Sequence, residues 1–300
     1  MGEPMSTAII GLGAMGLGMA RNILTAVIPM TGYDLSPDAR QRFTDAGGTP
    51  RDTPEDAAKG TDLLLVMVVN ADQARSVLFD TDVARALAPG ATVMLSSTVA
   101  PSDAREIAAR LAEAGLIMLD APVSGGQVGA EAGTLTVMAS GPEAAFDRAD
   151  PVLDAVAGIV HRLGDEAGQA ATYKVVHQLA AGVHLAVAAE LMALGSKAGC
   201  DPQTLYDIVT NAAGNSWMMA DRVPRMLVDD PPVASSVDIF IKDLGLVLQT
   251  GKDAGVPLPL SAAAYQMFTA ASAMGHGRED DSRVVRAYEA LMGQSLKDRT

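Results

Sequence analysis

Cysteine is all but missing from this 300-residue chain: the single Cys200 has no partner for an intrachain disulfide, and nothing speaks for an oxidising compartment. Cytoplasmic residence is the default expectation. Basic charge is also short, with 22 Lys and Arg against 36 Asp and Glu and a formal net charge of −14. A nucleic-acid surface needs clustered cations, so none is expected. The N-terminal residues show neither a basic segment nor a long apolar core, so no leader is expected there. The histidines at 161, 177, 184 and 276 have no metal-ligand spacing, and one cysteine makes no His/Cys cluster, so no metal is expected. Long hydrophobic runs are absent as well. Leu179 to Gly195 is almost wholly apolar, but it is shorter than the about 20 residues of a membrane span and carries His184 and Glu190. It reads as a buried helix, not a membrane segment. No internal repeat or low-complexity tract appears.

What is present suits two domains, since 300 residues exceed one usual domain and 49% hydrophobic content fills a sizeable core. Short apolar runs alternate with helical stretches through the first half. Ala8–Ile10, Val27–Asp34, Asp62–Val69, Ala91–Leu95 and Leu116–Leu119 read as strands, and their continuous apolar character suits a parallel sheet covered on both faces. The runs Thr134–Ala139 and Gly158–Arg162 are expected to extend that sheet. Ser36-Pro37-Asp38 and Thr53-Pro54-Glu55 each supply an N-cap, an N1 proline and an acid for a helix. From Gln169 to Ala198 there is no proline and little glycine, consistent with one helix about 45 Å long at 1.5 Å per residue. The remainder reads helical, with breaks at 231–232, 255–259 and 275–277, and Ser295–Thr300 reads as a tail. The fold class expected is α/β: an N-terminal Rossmann-type, doubly wound, mostly parallel sheet over residues 1–164, with an all-α domain over 165–300 joined by the long helix.

The segment Gly11-Leu12-Gly13-Ala14-Met15-Gly16 follows the first strand and opens the first helix. Gly11 permits a tight turn, Gly13 lets backbone approach a pyrophosphate, and Gly16 lets helix pack on strand, so the helix N-terminus faces the anion. Asp34, at the end of the second strand, suits the ribose hydroxyls of NAD and would repel the 2′-phosphate of NADP. It also fits a turn-forming aspartate. A second glycine-rich tract, Asp120 to Gly133, sits between two strands. Its Ser124 hydroxyl and the backbone of Gly125 and Gly126 suit a carboxylate, or simply a flexible connection.

Four stretches in order resemble the signatures of the β-hydroxyacid dehydrogenase family: residues 11–22, Asp120-Ala-Pro-Val-Ser-Gly-Gly126, Gly164-x-x-x-Gly168 leading to Lys174, and Lys242-Asp243-Leu-Gly-Leu. The resemblance implies an NAD(P)-dependent oxidoreductase of short hydroxy acids that assembles as a homodimer or homotetramer. It implies that Lys174 is the catalytic acid/base, a role that burial beside Val175 and Val176 would favour by lowering the lysine pKa. It also implies cofactor contacts from Val69, Asn70, Thr98 and Lys242, with Asp243 beside the last of these orienting the loop or helix. A surface charge pair would look the same in sequence. Where the family commonly carries Asn three or four residues beyond the lysine, this chain has His177 and Gln178. Both fall on the lysine's helix face and both can donate to substrate, although a structural helix histidine would do equally.

Substrate identity lies outside the general motifs. The segments 213–218, 237–245, 259–264 and 275–282 resemble the branch of the family acting on L-threonate more than the branch acting on 3-hydroxyisobutyrate. Asn215 and Ser216 suit the extra hydroxyls of a four-carbon aldonate, because a methyl-branched substrate would leave them unpaired. Trp217 reads as core. The reaction expected is NAD-dependent oxidation of a threonate-like acid at C2 to the 2-keto acid. Rivals are 3-hydroxyisobutyrate oxidation, tartronate semialdehyde reduction and a non-catalytic cofactor reader, the last disfavoured by the presence of Lys174.

Overall fold

The computed structural model describes residues 5–296, and the chain divides into two compact units, one up to Lys174 and one from Val175 onward. The first unit alternates β1 (Thr7–Ile10), α1 (Ala14–Thr25), β2 (Met30–Tyr33), α2 (Pro37–Asp45), β3 (Thr49–Pro50), α3 (Pro54–Ala58) and β4 (Leu63–Val66). It continues through α4 (Ala71–Arg75), a π turn at Ser76–Asp80, α5 (Val83–Ala86), β5 (Thr92–Leu95), α6 (Pro101–Glu113) and β6 (Ile117–Asp120). The six strands are parallel in the order β3-β2-β1-β4-β5-β6. Chain order reverses between β1 and β4, so their carboxyl ends open the crevice where doubly wound sheets take ligands.

The central strands β1, β4 and β5 are buried along their whole length because both faces are covered. Ile9, Leu63, Leu65, Met94 and Leu119 enter the core cluster on one face. Ile10, Leu64, Val66, Val93 and Leu95 enter the cluster on the other. Each such Leu or Ile side chain removed from water contributes about 1.5–3 kcal/mol. The predicted caps are in place. Ser36 accepts the N–H of Ala39 and Thr53 that of Asp56, each ahead of an N1 proline.

One expectation is corrected. The runs near 134–139 and 158–162 do not extend the main sheet: β7 (Val123–Ser124), β8 (Leu135–Ala139) and β9 (Ala157–Arg162) form a separate sheet in the order β7-β8-β9. Pro122 has no N–H with which to continue the β6 ladder. Beyond it the chain pairs antiparallel with β8, and the Asp120–Ser140 bridge links β8 to β6. Between these strands lie α7 (Gly126–Ala132) and α8 (Glu143–Val156).

A 29-residue helix, α9 (Gln169–Lys197), begins in the first unit and continues into the second. There it is followed by α10 (Pro202–Thr210), α11 (Trp217–Met226), α12 (Val237–Ala254), α13 (Pro259–Ala271), a π turn at Ser272–His276, a 3-10 turn at Asp281–Val284 and α14 (Val285–Met292). The argument from length against a membrane span does not hold, because α9 is long and apolar enough to cross one. Packing decides instead. Leu185, Ala188, Ala189 and Met192 are fully or almost fully buried and cluster with Val223, Phe240, Leu244 and Phe268, making α9 the core helix of this unit. The predicted tail is corrected at its start: Leu296 is 2% exposed, and its N–H donates to Glu289. Residues 297–300 lie outside the described residues.

Candidate active site

The cofactor seat is built from three glycines that differ in their surroundings. Gly11 adopts φ +100°, and a Cβ there would strike the Met67 carbonyl, so the turn after β1 requires glycine. A Cβ on Gly16 would strike the Gly11 carbonyl, which fixes the close approach of α1 to the turn. At Gly13 a Cβ would meet nothing within 4 Å. Gly13 is also the N-cap of α1, and no side chain caps that helix. The start of α1 therefore carries no side-chain cap, with Gly13 exposed and Ala14 and Met15 half-buried at the positive end of the helix dipole. That arrangement fits a pyrophosphate, with Leu12 completing the turn.

Asp34 follows β2 directly. Its Oδ2 accepts the N–H of Leu12 at 2.7 Å and its Oδ1 that of Ser36 at 2.8 Å. The carboxylate thus stands beside the glycine turn, where ribose hydroxyls of NAD would meet it. Arg40, six residues further along on α2, turns back to the same loop and donates to the Asp34 carbonyl at 2.5 Å. At the end of β4, Asn70 caps α4 by accepting the N–H of Gln73, and the Val69 N–H donates to the Gln73 side chain. At the end of β5, Ser97 is buried and accepts the Val68 N–H at 3.0 Å, tying the two strand ends together, while the adjacent Thr98 is partly exposed. Val69, Asn70 and Thr98 accordingly line the carboxyl ends of β4 and β5.

The second glycine tract is mostly not a loop. Ser124 belongs to β7, Gly125 takes φ +132°, and α7 begins at Gly126. Two residues whose roles spacing did not disclose hold α7 in place. A Cβ on Gly18 would come 2.9 Å from the Ala130 backbone. Asn22 donates to the carbonyls of Gly18 and Ala130, at 3.0 and 2.7 Å. The helix that starts the cofactor seat is thereby docked to the helix that follows Ser124, Gly125 and Gly126.

Lys174 closes the first unit on the second turn of α9 and is 5% exposed. Its neighbours Val175 and Val176 differ, the first buried and the second exposed, as is Tyr173.

In the second unit a polar chain joins α9 to α12. The His177 Nδ1–H donates to Gln178 Oε1 at 3.1 Å, and Gln178 Nε2 donates to Asp243 Oδ2 at 2.5 Å. Asp243 is buried, and its Oδ1 lies 2.7 Å from the Lys242 ammonium. Gln178 thus orients Asp243 and Asp243 orients Lys242, an arrangement a bare surface pair would lack. Asn215 is exposed, and Ser216 caps α11 by accepting the Met219 N–H at 3.1 Å.

Trp217 is not core. It is 53% exposed, with the Arg222 guanidinium 5.7 Å from its ring centre. Arg222 in turn forms a buried two-point ion pair with Asp281, at 2.7 and 3.0 Å. The polar run near 275–282 is therefore an internal strap, with the Asp281 N–H donating to the Ser235 carbonyl.

Residues 6–164 match the family described as the NAD binding domain of 6-phosphogluconate dehydrogenase. Residues 168–288 match the family described as the NAD-binding domain of NADP-dependent 3-hydroxyisobutyrate dehydrogenase. The chain belongs to the β-hydroxyacid dehydrogenase family. This family member is 50% identical to an L-threonate dehydrogenase of Cupriavidus necator, over 94% of this chain and 96% of that one. It is 49% identical to an L-threonate dehydrogenase of Escherichia coli K12, over 97% of each chain. A solved Salmonella typhimurium structure described as a 3-hydroxyisobutyrate dehydrogenase superposes with a TM-score of 0.91 at 50% identity, covering 94% of this chain and 99% of that one. As a member of the family, the protein is an NAD-dependent hydroxyacid oxidoreductase.

Proposed function

We propose that this dehydrogenase oxidises L-threonate, or a closely similar four-carbon aldonate, at C2 to the 2-keto acid. The observation that carries the reading is the half-identity, from end to end, with relatives described as L-threonate dehydrogenases in separate bacterial genera. NAD, when bound, supplies the acceptor for the hydride that leaves C2. Gly13 and the open start of α1 take its pyrophosphate and Asp34 its ribose, with Val69, Asn70, Thr98 and Lys242 completing the cofactor contacts. The Ser124 hydroxyl and the Gly125 and Gly126 backbone hold the substrate carboxylate. Lys174, as neutral amine, accepts the C2 hydroxyl proton as the carbonyl forms and returns it in the reverse direction. His177 and Gln178 contact substrate on the same helix face, and Asn215 and Ser216 serve the distal hydroxyls.

A second reading, oxidation of 3-hydroxyisobutyrate, is favoured by the description of the Salmonella structure. Purified protein assayed for NAD reduction with L-threonate, D-threonate, the erythronates, glycerate and 3-hydroxyisobutyrate separates the two. L-threonate is expected to have the highest kcat/KM, because polar groups placed for the extra hydroxyls would go unpaired against a methyl-branched substrate. Turnover confined to 3-hydroxyisobutyrate would end the threonate reading. The same proposal takes the protein to be cytoplasmic, in keeping with its exposed lone thiol at Cys200, and to assemble from two or four copies. Val187 and Leu194, more than half exposed on α9, support an assembly surface in the helical unit.

A further inference from the structure

The first turn of α9 cannot cap itself. Its N-cap residue is Gly168, held at φ +92°, where a Cβ would come 2.8 Å from the Pro101 carbonyl. The Ser, Thr or Asp that ordinarily accepts the first helical N–H groups is therefore excluded at this position. A helix start nevertheless presents four N–H groups without intrahelical partners, and here all four are satisfied. Gly168 and Ala171 both donate to Asp120 Oδ2, at 2.8 and 3.0 Å. Ala170 donates to Ser140 Oγ at 3.0 Å, and Gln169 to the Glu166 carbonyl. Three of the four bonds thus come from the end of β6 and the residue after β8, at sequence separations of 48, 51 and 30 residues.

Lys174 lies three residues beyond Ala171 and four beyond Ala170, on the helix face those two residues present. All three are buried. Asp120 is also the residue from which the chain runs through Pro122 to Ser124, Gly125 and Gly126. We propose that Asp120, seconded by Ser140, is a positioning residue: it caps α9 from the sheet and so sets Lys174 against the Ser124–Gly126 segment. This rests on the catalytic reading of Lys174. Asp120 is fully buried and its Oδ1 has no hydrogen-bond partner. Its Oδ2 serves the helix start, and the Ser140 hydroxyl also bonds the carboxylate. Burial also pushes its pKa up to about 6, against the pull of the Ala171 and Gly168 N–H groups.

The test compares Asp120→Ala, Asp120→Asn, Lys174→Met and the Asp120→Ala/Lys174→Met pair on whichever acid of the panel the wild type oxidises. Asp120→Ala is expected to lower kcat about a hundred-fold, the scale of a displacement near 1 Å at the reacting centre, with the Kd for NAD unchanged. Asp120→Asn keeps an acceptor for both N–H groups and should recover most of that loss. Added to Lys174→Met, Asp120→Ala should cost nothing further.

Undiminished kcat in Asp120→Ala, no recovery in Asp120→Asn, or a fully additive loss in the pair would overturn the assignment. Should Lys174→Met alone retain wild-type kcat, the catalytic reading of that lysine fails by itself. Amide exchange then decides the cap: Gly168, Ala170 and Ala171 should exchange as slowly as the interior of α9 in wild type. Ser140→Ala should release Ala170 alone, which keeps the test available if Asp120→Ala does not fold. Fast exchange at all three amides in wild type would refute the cap outright.

Discussion

Within one turn, Gly13 and Gly16 are set apart by what a methyl group would meet. At Gly16 a Cβ runs into the Gly11 carbonyl, a backbone atom that cannot swing aside, whereas at Gly13 it enters empty space. Gly16→Ala should therefore destabilise the folded chain by about 1–3 kcal/mol, the usual cost of overpacking. Gly13→Ala should leave the urea midpoint unchanged while weakening NAD binding about tenfold, or 1.4 kcal/mol, because the added methyl occupies the place the pyrophosphate approaches. Urea unfolding and calorimetric titration with NAD separate the two effects. Wild-type NAD affinity in Gly13→Ala would remove Gly13 from the cofactor seat. Both glycines were legible from their spacing alone, since the turn's demands are local. Trp217 was not legible in this way: its ring lies against Arg222, which Asp281 anchors from 59 residues away.

Between elements, the decisive contact in the first unit is α1 against α7, where Gly18 removes a side chain and Asn22 supplies the bond. Replacing Asn22 with Leu leaves the Ala130 carbonyl without its donor, and a buried acceptor stripped of its partner costs about 1–3 kcal/mol. The expected outcome is a lower urea midpoint together with a raised KM for the hydroxy acid and little change in NAD affinity, because α7 follows the Ser124–Gly126 segment and α1 keeps its own turn. Unaltered KM in a destabilised Asn22→Leu would make the contact purely structural. The individual elements could be read from sequence because apolar runs, N-caps and prolines act over a few residues. Which strands share a sheet could not. The period of β8 and β9 says strand, but their separation from the main sheet depends on Pro122 and the Asp120–Ser140 bridge. Gly18, Asn22 and Asp120 were quoted within signatures, while their roles lie in partners 48 to more than 100 residues distant.

Across the whole molecule, charge and burial act on stability in the same direction near neutral pH. The chain carries a formal net charge of −14 at pH 7, so lowering the pH relieves self-repulsion in the compact state. Asp120 adds a specific contribution. Its folded pKa, pushed up to about 6 by burial, lies above the ordinary aspartate value of about 3.9, so between these values the folded chain binds more protons than the unfolded one. Stability from this group is fully present below about pH 4 and is lost as pH rises through about 6. Asp62 and Glu106 act in the opposite sense. The Ser6 backbone N–H holds the first below its usual range and the Arg75 side chain holds the second. Their contributions are present at neutral pH and lost only as pH falls through their depressed values. The thermal midpoint should therefore climb as pH is lowered from 8 to about 5.5 and fall again below about pH 4. Scanning calorimetry of wild type and Asp120→Asn across that range isolates the buried carboxylate. The variant should lose part of the climb between pH 7 and 5 and keep the acid fall, whereas identical curves for the two proteins would mean that Asp120 does not titrate in this window.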